Sequence, residues 1–162
     1  MATVTGPRAA ADFPVPGVTA MQGAQGVSWG YYNHASNLAA ATIIEYCKVP
    51  AGATVIGGFF QADDLDTGIE ELDIDIGWAD NGPDAVDVDG FGNLATLTGD
   101  VSVHLPVAGI WIPFNGIIQT AGFKTFAANT TLIATINTDA ATGGTGISKM
   151  VAWWVGGGIA TP

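Results

Sequence analysis

From about residue 28 the apolar positions come in short runs separated by Gly, Asn, Asp and Pro. No window of a dozen residues carries a 3.6-residue period. Ser28-Trp29-Gly30-Tyr31-Tyr32 is an aromatic run, and 41–49 is β-branched and stops at Pro50. Pro50-Ala51-Gly52 reads as a turn into a strand over 54–60. Leu72, Ile74 and Ile76 alternate with Glu71, Asp73 and Asp75, the period of a half-buried strand with one wet acidic side. Further strands are expected at 101–105, 109–113, 116–119, 131–137 and 147–155, and one short helical turn fits 35–41. Gly57-Gly58 marks a bulge or a close backbone approach. No repeat of fixed period runs through the chain, which argues against a propeller or a solenoid.

Residues 1–27 differ in character. They are rich in Ala and Gly, and Pro7, Pro14 and Pro16 prevent a long helix or a central strand. They are read as an extended N-terminal arm, held either against its own domain or by a partner, and 28–162 as one domain. Eight or nine short strands in that domain predict an all-β fold: an antiparallel β-sandwich of jelly-roll type.

With 162 residues the chain is long enough for one domain with a true core. Its formal net charge is −11, with 4 Lys and Arg against 15 Asp and Glu. Four cations cannot coat a phosphate backbone, so nucleic acid is not expected as a partner. The same shortage argues against an anionic membrane surface, and no apolar run is long enough to span a bilayer. The N-terminus lacks the basic and apolar regions of a secretory signal. Cys47 stands alone, which excludes an internal disulfide and any multi-cysteine metal site.

Chemistry-bearing motifs are thin. Eleven acids fall between Asp63 and Asp89, yet Asp87-Val88-Asp89-Gly90 fails as a calcium loop, because Ala85 and Thr96 stand where ligands belong. The acids are read as solvated charges. A loop site drawn from Asp63, Asp64 and Asp66, or from Asp84, Asp87 and Asp89, stays open, as does docking on a basic partner. His34, placed in a turn, and His104 are read as structural or surface residues. No Gly-x-Ser-x-Gly elbow exists to present a serine nucleophile. Gly143-Gly144-Thr145-Gly146 lacks the Lys-Ser/Thr ending of a phosphate loop and reads as a turn. No enzymatic activity, cofactor or metal is therefore expected. Trp153 and Trp154 are adjacent, so on a strand they point to opposite faces. One belongs to the core; the other needs a cover, a subunit interface or a glycan to stack on.

Several segments together resemble a known group. They are Val49-Pro50-Ala51-Gly52-Ala53-Thr54-Val55, then Asp63-Asp64-Leu65-Asp66-Thr67-Gly68, then Leu72 to Asp80. The late turn Ala140 to Gly146 before an apolar last strand completes the set. Over roughly residues 40–155 the chain resembles the head decoration or cement proteins of tailed bacteriophages. The resemblance implies a non-enzymatic virion protein, made in the bacterial host cytoplasm and bound to the capsid exterior. It further implies a homotrimer that clamps neighbouring major capsid subunits and stabilises the head. Phe13, Val15, Val18 and Met21 are expected as arm anchors, with Trp29, Tyr31 and Tyr32 as a second contact where arm meets body. The alternative is a carbohydrate-binding adhesin module of a head fibre or tail.

Overall fold

The structure is a computed structural model and describes residues 2–6, 25–66, 72–93 and 110–156. These residues form ten strands and one short helix: β1 (Thr3–Thr5), β2 (Gln25–His34), β3 (Ile43–Val49), β4 (Ala53–Ala62), β5 (Asp73–Trp78), β6 (Asp87–Asn93), β7 (Ile110–Pro113), α1 (Gly116–Thr120), β8 (Lys124–Thr125), β9 (Thr130–Thr138) and β10 (Gly146–Gly156).

The strands build two sheets. One runs β1-β3-β9-β5-β6 and the other β2-β10-β4-β7, with β8 added to β4. Without β1 and β8 this leaves two four-stranded sheets in which nearly every connection crosses from one to the other. That is the double Greek key of the jelly roll, as expected from the sequence. Every pairing is antiparallel except that of β1, which lies parallel to β3 in the register Val4↔Ile44. Gly6 follows β1, and its N–H donates to the Glu45 carbonyl at 2.6 Å. The first residues of the chain are thus paired with its own domain. β2 begins at Gln25, slightly ahead of the boundary drawn after residue 27.

Alternation fills the space between the sheets. Ile44, Tyr46, Val49, Val55, Phe60, Ile74, Ile76, Leu132, Ile136 and Met150 are sealed in a single core. At one end, aromatic rings continue that core. Trp78 meets Phe91 and Phe126 edge-on at centroid distances of 5.0 and 5.4 Å, and Phe91 stacks on Phe114 at 5.0 Å. Trp154 is buried while Trp153 faces out, as adjacent strand residues must. Trp154 lies across Gly26, where a Cβ would sit 2.2 Å from the indole. Its Nε1–H donates to Ser28 Oγ at 3.0 Å, and Ser28 donates onward to the Lys48 carbonyl. The Gly57-Gly58 expectation is met twice. The β4–β10 register shifts beside Gly57, and Gly58 sits against the Val151 carbonyl.

Four local readings need correction. The acidic side of the 72–76 strand is not wet throughout, since Asp75 is buried. Residues 116–119 are not a strand but the start of α1. The Asn115 side chain caps it by accepting from the Gly116 N–H, and Gly116, at φ +28°, passes too close to Gly90 for any side chain. Capping and the packing of Ile117 and Ile118 on the core override the β-branched preference. Residues 35–41 hold bends and a turn, with Ala41 at φ 63°, and no helix. His34 is not in a turn; it ends β2 and is buried. The strand expected at 101–105, with His104, lies outside the described residues.

Candidate docking surface

The side chains of β2, β10, β4 and β7 that point away from the core form a continuous apolar surface. Register places them in rows across the sheet. One row is Trp29, Val151, Phe59 and Pro113; the next is Tyr31, Lys149, Gln61 and Trp111; a third is Val27, Trp153 and Gly57. Phe59 sits at the centre. Trp111 stacks on it at 4.2 Å with only 10° between the ring planes, and Trp153 leans on it at 6.0 Å. Gly57 leaves the room into which Trp153 folds. The outward rings stay open: Trp111 is 61% exposed, Val27 49%, Trp29 45% and Trp153 37%.

Charge sharpens the picture. In a chain of net charge −11, none of these four strands contains an Asp or Glu, and Lys149 is their one charged residue. The exposed apolar area is on the order of 400 Å², counting about 250 Å² for a whole Trp. That is as large as the largest patch of an ordinary monomer, and such patches are commonly functional. Burying it is worth about 10 kcal/mol at 25 cal/mol per Å². This is comparable to the rigid-body entropy lost when two proteins associate. The surface therefore has the size and chemistry of an interface core.

Of the contact residues expected from the sequence, Trp29 and Tyr31 lie on this surface. Tyr32 does not; it turns inward, half-buried against the core and edge-on to His34 at 4.9 Å. Phe13, Val15, Val18 and Met21 lie outside the described residues. Phe59, Trp111 and Val151 were not anticipated as contacts. Their signal was available in the pairs Phe59-Phe60 and Trp111-Ile112, where one neighbour must face out whenever the other is buried.

The acids of the middle segment mostly fasten loops. Asp66, buried, accepts from the Leu72, Ala141 and Thr142 N–H groups, tying two crossings together. Asp63 accepts from Ile147 N–H at 2.7 Å. Asp84 takes the Lys124 ammonium at 2.9 Å and the Ala127 N–H at 2.8 Å, and the Lys124 hydrogen bond holds its carboxyl below the usual range. Burial beside Asp89 raises the Asp87 carboxyl. Among the described residues no three His, Cys, Asp or Glu side chains converge as a metal site. None of the described helices is long and apolar enough to cross a membrane.

Among the described residues one serine–histidine contact is present, and it is structural. Ser148 Oγ lies 2.7 Å from His34 Nε2 and also bonds the Tyr46 hydroxyl. Ser148 and Tyr46 are fully buried, so no substrate reaches the serine. Burial, opposed by nearby Asp63, lowers the His34 pKa to about 4, leaving the ring neutral at pH 7. The small pocket beside it, lined by Leu65, Leu72 and Ile136, has room for little more than a water.

No protein-family model matches the chain, and no curated protein matches it by sequence. Its fold is shared with solved structures. A chain in the capsid of Ralstonia phage GP4 aligns with TM-score 0.69 at 18% identity, over 98% of this chain and 100% of that one. A chain in the capsid asymmetric unit of cyanophage Pam1 aligns with TM-score 0.63 at 20% identity, over 90% and 93%. A chain in the acid-stable capsid of Helicobacter pylori bacteriophage KHP30 aligns with TM-score 0.57 at 10% identity, over 85% and 92%.

Proposed function

We propose that this chain is a structural protein of a tailed-bacteriophage virion, a decoration or cement protein bound to the outside of the head. The observation that carries this reading is the likeness, over nearly the whole length of both chains, to folds found in three phage capsids. The acid-free aromatic surface supports it from the physical side, since such a surface calls for a protein partner. In this reading the partner is the major capsid protein, and the contact core is Trp29, Phe59, Trp111 and Trp153, with Tyr31 at its rim. Phe13, Val15, Val18 and Met21 act as arm anchors on a neighbouring capsid subunit. A body contact and an arm contact on one chain raise the effective concentration of the second binding event, and assembly as a homotrimer multiplies that gain. The chain is made in the host cytoplasm and ends on the virion exterior, and no catalytic step is involved.

Quantitative peptide mass spectrometry of purified virions tests this reading. A copy number equal to that of the major capsid protein, or a simple fraction of it, is expected; absence from the particles overturns it. Trp111, flat and open beside Gln61 and Lys149, also favours a second reading, a glycan-stacking module of a head fibre or tail. A handful of copies per virion, with glycan-dependent quenching of tryptophan fluorescence, would favour that role.

A further inference from the structure

The outer side of the other sheet holds a different kind of feature. Among the described residues, three buried side-chain oxygens have no hydrogen-bond partner: Asp73 Oδ1, Asp75 Oδ1 and Thr135 Oγ1. All three belong to one spot. Ile74 and Ile76 point into the core, so Asp73 and Asp75 share the opposite face of β5. Thr135 stands directly across from Asp75 on β9, between the inward Ala134 and Ile136. Their Cα atoms are therefore about 7 Å apart along the strand and about 5 Å across it. The register shift at Asp73 leaves Asn137 as the extra residue of β9. Its amide reaches toward Asp73 Oδ2 at 3.5 Å, leaving the other oxygen of that carboxylate bare.

Elsewhere the buried polar side chains find partners: Asp66 three N–H groups, Ser28 the Lys48 carbonyl, His34 and Tyr46 the Ser148 hydroxyl. Unpartnered buried oxygens cost free energy, and their concentration at one place calls for a specific occupant. A water would satisfy a hydroxyl, whereas two neighbouring carboxylates left bare repel each other and are balanced best by positive charge. Within the described residues no side chain of the chain is placed to supply it. Lys124 is held by Asp84, Lys149 is on the other sheet, and Lys48 stands opposite Thr131, four residues along β9.

We infer that Asp73, Asp75 and Thr135 form a binding site for one hard divalent cation, of the calcium class, on the outer side of the β3-β9-β5-β6 sheet. Carboxylate and hydroxyl oxygens suit calcium, which tolerates irregular geometry; magnesium demands a strict octahedron. Two carboxylates with neutral oxygens give a modest site, with a Kd of roughly 10⁻⁴–10⁻³ M as in extracellular modules. The site differs from the loop acids Asp63, Asp66 and Asp84, whose oxygens are engaged.

The experiment is calcium binding by equilibrium dialysis of the metal-stripped full chain, with the melting temperature recorded in EDTA and in 5 mM calcium. One ion per chain is expected, with a rise of several degrees in calcium and a smaller one in magnesium. The doubly substituted chain Asp73→Asn/Asp75→Asn should bind no ion and lose the calcium-dependent rise. Thr135→Val and Asp73→Asn alone, which remove less charge, should each weaken binding about fivefold or more. They keep the test decisive if the double substitution does not fold. No saturable uptake by the unaltered chain overturns the inference, and so does uptake unchanged in these variants. Neither result bears on capsid binding, because no capsid enters the measurement.

Discussion

The two outer faces of the sandwich differ in kind. The β2-β10-β4-β7 sheet turns out Trp29, Phe59, Trp111, Val151 and Trp153, and its four strands hold no carboxylate. The β3-β9-β5-β6 sheet carries Glu45, Asp73, Asp75, Asp87 and Asp89 within its strands. Both sheets place apolar side chains inward with the same period, so the fold itself is indifferent to what faces out. The difference therefore reports use. An aromatic face on so acidic a chain is costly for solubility and calls for a partner, while on the other sheet Glu45, Asp73 and Asp87 are half-buried, Asp75 is buried and Asp89 is exposed.

The largest expected effect separates inside from outside on one strand. Trp154→Ala should lower stability by about 4 kcal/mol, because it empties a buried site and strands Ser28. Trp153→Ala, one residue away but exposed, should cost less than about 1 kcal/mol. Urea unfolding measures both. Equal losses would mean that Trp153 is part of the core and not of an interface.

Next in size is binding. Trp29→Ser and Trp111→Ser should each weaken capsid binding by about 2 kcal/mol, or thirtyfold, with little change in melting temperature. Glu45→Gln on the acidic face should leave binding within twofold. Co-sedimentation with capsids stripped of this chain reads both. A stronger effect of Glu45→Gln would reverse the roles given to the two faces.

The effect that is smallest at neutral pH, where it vanishes, concerns protonation and sharpens the comparison within one sheet, inner side against outer. The folded His34 pKa of about 4 lies below its ordinary 6.5. The unfolded chain thus takes up the proton first as pH falls. His34 then costs stability progressively from about pH 6.5 down to pH 4, by up to about 3 kcal/mol, and nothing above pH 7. His34→Gln should flatten that part of the stability profile relative to the unaltered chain. An unchanged slope would mean that the ring is not buried as described.

Much of the fold was legible in the sequence, because alternation and turn residues are local. The strands at 41–49, 54–60, 72–76, 109–113, 131–137 and 147–155 follow from β-branched runs ended by Pro and Gly. α1 was not legible, since Gly116-Ile117-Ile118-Gln119 has strand composition and becomes helical through the Asn115 cap and contacts made far away in sequence. The docking surface was half legible. Trp29, Tyr31 and the Trp153–Trp154 split follow from strand parity, but Phe59 and Trp111 meet only because β4 pairs with β7 across some fifty residues. The orphan oxygens were the least legible, because Thr135 has no local signal and meets Asp75 only through the β5–β9 register.

The central claim is that the aromatic face is the one buried against the capsid. Oxidative footprinting of the five tryptophans, on the free chain and on intact virions, tests it most directly. Trp29, Trp111 and Trp153 should be oxidised readily in the free chain and at least tenfold more slowly on the virion. Trp78 and Trp154, already buried, should be slow in both. Equal oxidation of the three outward tryptophans in both states would contradict the assignment of this face as the docking surface.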